Sequence, residues 1–412
     1  MQESTLKFAK EQACNVVKSV LEEVLRDGAR KMLVKAINNE VAEYVDGHAH
    51  LRDERRRRLV VRNGYLPERD LVTGLGPIRI RQPRVNDRRP SKRFTSKILP
   101  PFMRRVPSID ALIPVLYLKG ISTGDFSEAL EAILGPQATG LSATNIVRLK
   151  ECWKQEYEAW RKRDLSDKHY PYIWVDGIYF NTRLEDERSC ILVVVGATED
   201  GKKELLAVHD GYRESKESWR EVLRDLKARG LRFMPKLAVG DGALGFWAAA
   251  AEEFPTTRAQ RCWVHKTANI LDKMPRSVQG AAKTRIHDMY MAATKAEALK
   301  AYELFMNLYK AKFPKACECL AKDRDNLFTF YDFPAEHWVH LRTTNPIEST
   351  FATVRLRTAR TKGCGSRTAT LTMVYMLVKQ AEKHWRRLNK HEYIALVVKG
   401  IKFIDGVMDK AA

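Results

Sequence analysis

Residues 172–180 read YIWVDGIYF. Tyr172, Trp174, Ile178 and Phe180 alternate onto one face of a β-strand, and Asp176 stands in the middle of that apolar row. A carboxylate on a face otherwise built for a core needs a partner to offset the loss of water.

Downstream, SCILVVVGATED (189–200) and KELLAVHDGY (203–212) are further strands bounded by charged or Gly-containing turns, the pattern of an antiparallel meander. SKESWREVLRDLKARGL (215–231) is a helix with Trp219, Val222, Leu223 and Leu226 on its apolar face. PKLAVGDGALGFWAAAAEEF (235–254) reads as strand, acidic turn and helix, and TRAQRCWVH (257–265) adds a short strand. The order β-β-β-α-β-α-β predicts a mixed five-stranded sheet flanked by helices. It is the order of the RNase H-like fold, a resemblance that by itself says little about function.

Asp241 follows the apolar strand directly, at the carboxyl end where α/β sheets hold their ligands. In isolation an Asp-Gly turn or an N-cap for the helix beginning near Ala243 is the simpler account of it. In an RNase H-like sheet, however, the first and fourth strands are neighbours, so Asp176 and Asp241 come within reach of one metal ion. A third carboxylate is then expected from a later helix.

RTTNPIESTFATVRLRTARTKG (342–363) supplies a candidate. Asn345 as N-cap with Pro346 at the first helical position predicts a helix start. Glu348 then has capping-box spacing, which accounts for it structurally, or it is the third metal ligand. Phe351, Ala352 and Arg355 fall on or near its face, with Arg357, Arg360 and Lys362 making the helix cationic.

Bulk properties favour a polyanionic partner. The 412 residues carry 72 Lys and Arg against 51 Asp and Glu, a net charge of +21, far beyond what solubility requires. A hydrophobic content of 44% is that of a folded chain long enough for two or three domains. No apolar run reaches the length of a membrane span, and CILVVVGA (190–197) is among the longest. Seven cysteines, an odd number, suit a reducing compartment better than a disulfide framework.

Near the N-terminus, Val16, Val17, Val20, Leu21, Val24 and Leu25 form a helical stripe. Residues 52–93 are the most cationic segment, including Arg55, Arg56, Arg57 and Arg58, and the punctuation of TGLGPIRIRQP predicts a β-hairpin. The basic run is either a solvated arm or a phosphate-contacting one. LYLKGISTGDFSEALEAIL (116–134) has a helical pattern, and Ser142 is an N-cap candidate for a second helix. The pair resembles a helix-turn-helix with Thr144, Asn145 and Arg148 early in the recognition helix, though such pairs also occur in proteins that never meet DNA.

Taken together, VDGIYF, VGDGALGFW, QRCWVHKTANIL and TTNPIESTFATVRLRTARTKG, in that order and with LYLKGIST upstream, resemble the Mutator-type transposases of bacterial insertion sequences. By this resemblance Asp176, Asp241 and Glu348 match the family's catalytic Asp-Asp-Glu triad, and Cys262 and His265 match its Cys-x-x-His motif. It further implies an all-helical insertion before the glutamate, action as a homodimer or higher assembly on paired ends, and a bacterial cytoplasmic, nucleoid-associated setting.

The chemistry asks for such a triad. Phosphodiester cleavage and strand transfer need a nucleophile activated and a leaving oxygen neutralised, work suited to two Mg²⁺ ions held by oxygen ligands, with Mn²⁺ as substitute. His265, flanked by Arg261 and Lys266, is expected near the active site in contact with DNA or the scissile phosphate; a hydrogen-bonded helix-start histidine is the alternative. A zinc site joining Cys262 and His265 to Cys317 and Cys319 is disfavoured by the spacing of the second pair.

The expected organisation is an N-terminal helical segment (1–50), a basic arm and hairpin (51–105), a helix-turn-helix-like domain (106–165), a catalytic core in two parts (168–265 and 336–412), and the helical insertion between them (266–335). The expected activity is that of a transposase acting on double-stranded DNA, both terminal inverted repeats and target. An RNase H-like nuclease or resolvase without strand transfer and a non-catalytic DNA-binding regulator are the rival readings.

Overall fold

A computed structural model describes residues 20–119, 121, 128–130, 143–180, 189–211, 213–242, 244–360 and 366–409. The chain divides into two compact units, Met1–Leu149 and Lys150–Ala412.

In the first unit, helix α1 (Val20–Gly47) is followed by strands β1 (Val60–Tyr65), β2 (Arg69–Thr73), β3 (Gly76–Ile80) and β4 (Pro83–Asp87). β2 and β3 form the hairpin that the Gly and Pro punctuation predicts, closing at Thr73 opposite Gly76. β1 and β4 pair as a second antiparallel ribbon, with Val60 opposite Asp87. Leu71, Ile78, Ile80 and Leu99 bury with Ile37 of α1, and Ala29 and Leu33 pack beside them.

The helical stripe expected from Val16 to Leu25 is not what faces this core. Val16 and Val17 lie outside the described residues, while Leu21, Val24 and Leu25 are exposed. A 28-residue helix is about 42 Å long and a five-residue strand about 17 Å, so the hairpin covers only part of α1. The buried stripe accordingly begins a turn later.

Helices α2 (Pro107–Leu118) and α3 (Ala143–Arg161) bracket the expected helix-turn-helix. Its turn and Ser142 lie outside the described residues; α3 begins at the residue after Ser142.

The second unit is built on one mixed sheet. β5 (Tyr172–Phe180), β6 (Ser189–Ala197), β7 (Lys203–Gly211), α4 (Lys216–Ala228), β8 (Leu237–Gly240), α5 (Leu244–Glu253) and β9 (Arg258–Arg261) follow in the predicted order. The strands lie in the order β7-β6-β5-β8-β9. β5, β6 and β7 are antiparallel neighbours, and β8 and β9 continue the sheet in parallel. The first and fourth strands are therefore adjacent.

β5 is central and covered on both faces, which is why its odd positions are apolar too. Ile173 and Val175 bury against Trp219, Val222, Leu223, Phe246 and Ala249 of α4 and α5. On the other face the Tyr172 hydroxyl donates to His337 Nδ1 at 2.9 Å and Trp174 Nε1 donates to His340 O at 2.9 Å. The edge strand β7 is closed by side chains: Glu382 accepts the Leu205 amide at 2.7 Å and Tyr157 donates to Val208 O at 2.8 Å. Such cover removes a free pairing edge.

After β9 come four helices, α6 (Trp263–Leu271), α7 (Arg276–Met291), α8 (Lys295–Tyr309) and α9 (Pro314–Ala321), packed through Ile270, Ile286, Phe305 and Leu320. The chain then passes to α10 (Asn345–Arg360), α11 (Arg367–Glu382), α12 (Tyr393–Val398) and a hairpin of β10 (Phe403–Ile404) and β11 (Val407–Met408). No described helix is long and apolar enough to cross a membrane.

Candidate active site

β5 and β8 run in parallel register, with Tyr172 beside Leu237, Ile173 beside Ala238 and Trp174 beside Val239. Two residues further along come Asp176 and Asp241, the latter just past the end of β8. Asp176 is 6% exposed, and its Oδ1 accepts the Gly177 amide at 2.9 Å. Burial pushes its pKa up to about 7; His265 pulls the other way, and the negative charge of Asp241 adds to the rise.

His265 arrives on α6. The amide of the N-cap residue Cys262 donates to Gly240 O at 2.8 Å, which ties the head of this helix to the end of β8. The ring thereby stands in the field of Asp176, and its Nδ1 is 3.5 Å from Glu348 Oε1.

Glu348 sits in the first turn of α10, but the helix starts one residue earlier than predicted. The amides of Ile347 and Glu348 lie 2.8 and 3.0 Å from Thr344 O, so Thr344 rather than Asn345 is the N-cap and Pro346 is second in the helix. The capping-box account of Glu348 falls with this shift. A capping box needs the glutamate to accept the N-cap amide, yet the Thr344 amide points at Cys262 Sγ, 3.4 Å away. Glu348 Oε1 instead accepts the Thr344 hydroxyl at 2.7 Å and the Cys262 thiol at 3.5 Å.

Donor atoms of Cys262, His265 and Glu348 thus lie within 4.8 Å of one another. Burial pushes the Cys262 pKa up to about 11, keeping it a thiol that donates to the carboxylate. Neither Cys317 nor Cys319 joins the group. Cys317 is buried in α9, and Cys319 Sγ is 3.9 Å from Lys266 Nζ.

A carboxylate that sequence reasoning missed completes the neighbourhood. Glu214, immediately before the α4 N-cap Ser215, places its side chain against Gly177, where a Cβ would overlap the carboxylate. Burial and then Asp241 push its pKa up to about 7, with His265 opposing. In the sequence it reads only as an acidic residue favouring a helix N-terminus.

Residues 1–388 match the family described as Transposase, Mutator family. The chain belongs to that family. It is 52% identical over 295 residues to the transposase for insertion sequence element IS6120 of Mycolicibacterium smegmatis, covering 72% of this chain and 91% of that one. It is 51% identical over 280 residues to the transposase for IST2 of Acidithiobacillus ferrooxidans, covering 68% and 95%. More distantly, it is 26% identical over 351 residues to the transposase for IS256 in transposon Tn4001 of Staphylococcus aureus, covering 83% and 87%.

The residues expected to contact DNA do not all stand alike in this transposase. Arg55, Arg56, Arg57 and Arg58 are exposed on a turn organised by Asp53, whose Oδ1 accepts the amides of Arg55 and Arg57 at 3.0 and 2.7 Å. Arg148 and Arg355 are exposed on α3 and α10. Thr144 and Asn145 lie in the first turn of α3, and their side chains lie outside the described residues.

Arg261 and Lys266, by contrast, are 7% and 6% exposed and both pair with Asp323, Arg261 at 3.3 Å. Arg261 also donates to Asp241 O and lies over the Trp247 ring at 5.6 Å. These two cations fasten the end of β9 and α6 to the segment after α9.

A cavity of about 500 Å³ lies elsewhere, at the β7 edge between Trp160, Lys203, Glu382 and Trp385. Several of its cations are already engaged, Lys168 with Glu204, Lys379 with Glu382 and Arg387 with Asp200. It contains none of the carboxylates beside His265.

Proposed function

We propose that this transposase binds the terminal inverted repeats of an insertion sequence and carries out Mg²⁺-dependent strand cleavage and strand transfer on an RNase H-like core, with Asp176, Asp241 and Glu348 as metal ligands. The observation that carries this reading is the parallel register of β5 and β8, which two residues further on leads to Asp176 on β5 and Asp241 just past β8, with Glu348 on α10 facing His265. Relatives at about half identity are named as transposases of insertion sequence elements.

The residues fit a hard divalent cation. Asp176 is an almost fully buried carboxylate whose pKa is raised by burial, with the charge of Asp241 adding to the rise, and a cation bound there would offset both. The donor set is oxygen only. Among the described residues the donor atoms within 4.8 Å of one another are those of Cys262, His265 and Glu348, so the reading asks Glu348 to share a cation with aspartates outside that group. When bound, Mg²⁺ activates the attacking water or 3′-hydroxyl and neutralises the leaving oxygen.

The side chains supply the rest. β5 holds Asp176 rigidly, the Thr344 hydroxyl and Cys262 thiol fix one oxygen of Glu348, and His265 offers a donor between the two carboxylates for a phosphate oxygen. Arg55 to Arg58, Arg148 and Arg355 are the exposed cations assigned to the DNA backbone. The helices from 266 to about 335 are the insertion, and residues 1–165 the end-binding region. Action as a homodimer or larger assembly on paired ends, in the bacterial cytoplasm, completes the reading.

The test uses the full-length chain with duplexes carrying the DNA that flanks its reading frame. Cleavage is expected in Mg²⁺ or Mn²⁺, lost in EDTA, and lost in Asp176→Asn, Asp241→Asn and Glu348→Gln while end binding persists. Glu348→Gln preserves the oxygen that accepts from Thr344, so its metal-free Tm should stay near wild type. Vigorous Mg²⁺-dependent cleavage by Glu348→Gln would reject it as third ligand. Cutting of RNA hybrids or junctions without strand transfer would favour the nuclease reading, and binding without cleavage a regulator.

A further inference from the structure

Cys262, His265 and Glu348 are assembled as a donor set of their own. Cys262 caps α6, His265 stands in the first turn of that helix, and the cap of α10 at Thr344 brings Glu348 to both. Glu348 Oε1 is 3.5 Å from Cys262 Sγ and 3.5 Å from His265 Nδ1, and donor atoms of all three residues lie within 4.8 Å of one another. A tetrahedral zinc ion, at about 2.3 Å from sulfur and about 2.0–2.2 Å from nitrogen and oxygen, holds such donors about 3.4–3.6 Å apart. The two separations from Oε1 are therefore already those of a zinc polyhedron.

The surroundings of the sulfur and of the ring point the same way. The Thr344 amide and hydroxyl each lie 3.4 Å from Cys262 Sγ, and together with the His265 amide they favour its charged form. Burial keeps the group a thiol while nothing is bound; coordination sends its proton to solvent, as thiol ligands require. His265 Nδ1 is buried and completes no hydrogen bond, its approach to Glu348 included. A buried ring nitrogen left without a partner is costly, and a metal ion supplies one. Sulfur and imidazole favour zinc over magnesium. Residue spacing pointed to Cys317 and Cys319 for the remaining ligands, whereas the fold supplies a carboxylate.

We infer that Cys262, His265 and Glu348 form a site for a borderline divalent ion of the Zn²⁺ type, with a fourth position open to water, and that filling it withdraws Glu348 from the Mg²⁺ centre. Only the withdrawal rests on the reading of Glu348 as an Mg²⁺ ligand.

Co²⁺ is the probe, titrated into metal-free full-length protein, because a cobalt–thiolate bond gives a near-ultraviolet charge-transfer band that carboxylate-bound Co²⁺ lacks. The band should appear, disappear on addition of equimolar Zn²⁺ and persist in excess Mg²⁺. Cys262→Ser should abolish it. Glu348→Gln, which retains the bond from Thr344, and His265→Gln should each weaken Co²⁺ binding at least as much as loss of a group supporting a metal site does, about 10- to 100-fold. Zn²⁺ should inhibit Mg²⁺-dependent cleavage, and less so in Cys262→Ser, each protein compared with its own zinc-free rate. Absence of the band, or a band unchanged in Cys262→Ser, overturns the site and leaves the Mg²⁺ reading standing. Cleavage undiminished by saturating Zn²⁺, or inhibited equally in Cys262→Ser, overturns the withdrawal of Glu348. Vigorous cleavage by Glu348→Gln would reject the Mg²⁺ role alone, since the band is read without Mg²⁺.

Discussion

The Thr344 hydroxyl donates to Glu348 Oε1 at 2.7 Å, joining the N-cap of α10 to the carboxylate four residues on. The same oxygen accepts the Cys262 thiol and faces His265 Nδ1, so these contacts all fall on Oε1 rather than Oε2. Supporting hydrogen bonds of this kind orient metal-binding carboxylates, the role proposed for Glu348.

Thr344→Val keeps the shape of this buried side chain and removes the donor. A hydrogen bond to a charged group contributes about 1.5–3 kcal/mol, so a stability loss of that order is expected, together with slower cleavage and a raised Mg²⁺ requirement. Thr344→Ser should restore both. Urea melts and cleavage against Mg²⁺ concentration measure this. Undiminished cleavage at limiting Mg²⁺ in Thr344→Val would remove Thr344 from the site.

Asp323 should matter for stability in proportion to the burial of the cations it serves. Breaking a buried pair by removing one partner costs about 3–5 kcal/mol, and Asp323→Ala strands both Arg261 and Lys266. Chemical denaturation should register a loss of that size. Lys266→Met should disturb folding far more than the salt dependence of DNA binding. A flatter salt dependence in Lys266→Met with unchanged stability would return this lysine to the DNA surface.

Acid should destabilise the protein through two histidines beneath the sheet. His337 accepts from Tyr172 at Nδ1 and donates from Nε2 to Lys390 O at 3.1 Å, bonds that require the neutral ring. Burial lowers its pKa, and burial with the nearby Lys203 charge lowers that of His340 from 6.5 to about 4. Below about 6.5 the unfolded chain therefore binds protons that the folded chain refuses. Stability should fall as pH drops from 6.5 towards 4 and be fully present above that window. Tm measured across this range should fall less steeply in His340→Gln than in wild type. Parallel curves would show that His340 does not contribute.

The Arg55–Arg58 turn should act through phosphates. Replacing Arg55 and Arg57 with Gln leaves their amides free to bond Asp53, so the turn should persist. If both side chains neutralise phosphates, the slope of log affinity against log salt should become shallower by about 2, roughly 0.9 for each phosphate no longer neutralised. Sequence preference should be unaffected. An unchanged slope would mark the turn as a solvated arm.

How much was legible in the sequence follows from the range of each interaction. The alternation of YIWVDGIYF sets β5, and apolar runs between Gly and charged turns set β6 to β9, because side-chain periodicity is a local consequence of backbone geometry. The hairpin at Thr73 and Gly76 was readable for the same reason. Placement along a helix was less so: α1 turns a later stretch to the core because the length of the hairpin, not the pattern of the helix, sets what is covered.

Charge partners, by contrast, emerge only once the chain is folded. Nothing local distinguishes Lys266, whose ammonium is sealed against Asp323, from Arg55, which stands in solvent. Nor does anything local place Glu214 against Gly177, or exchange the cap of α10 from Asn345 to Thr344 so that Glu348 faces His265. Residue order alone dictates which segments become strands and helices, and hence that Asp176 lies on a buried strand. Which groups meet that carboxylate depends on distances through space set by sheet order and helix docking, and the electrostatic energy of a buried charge is governed by those distances rather than by separation along the chain.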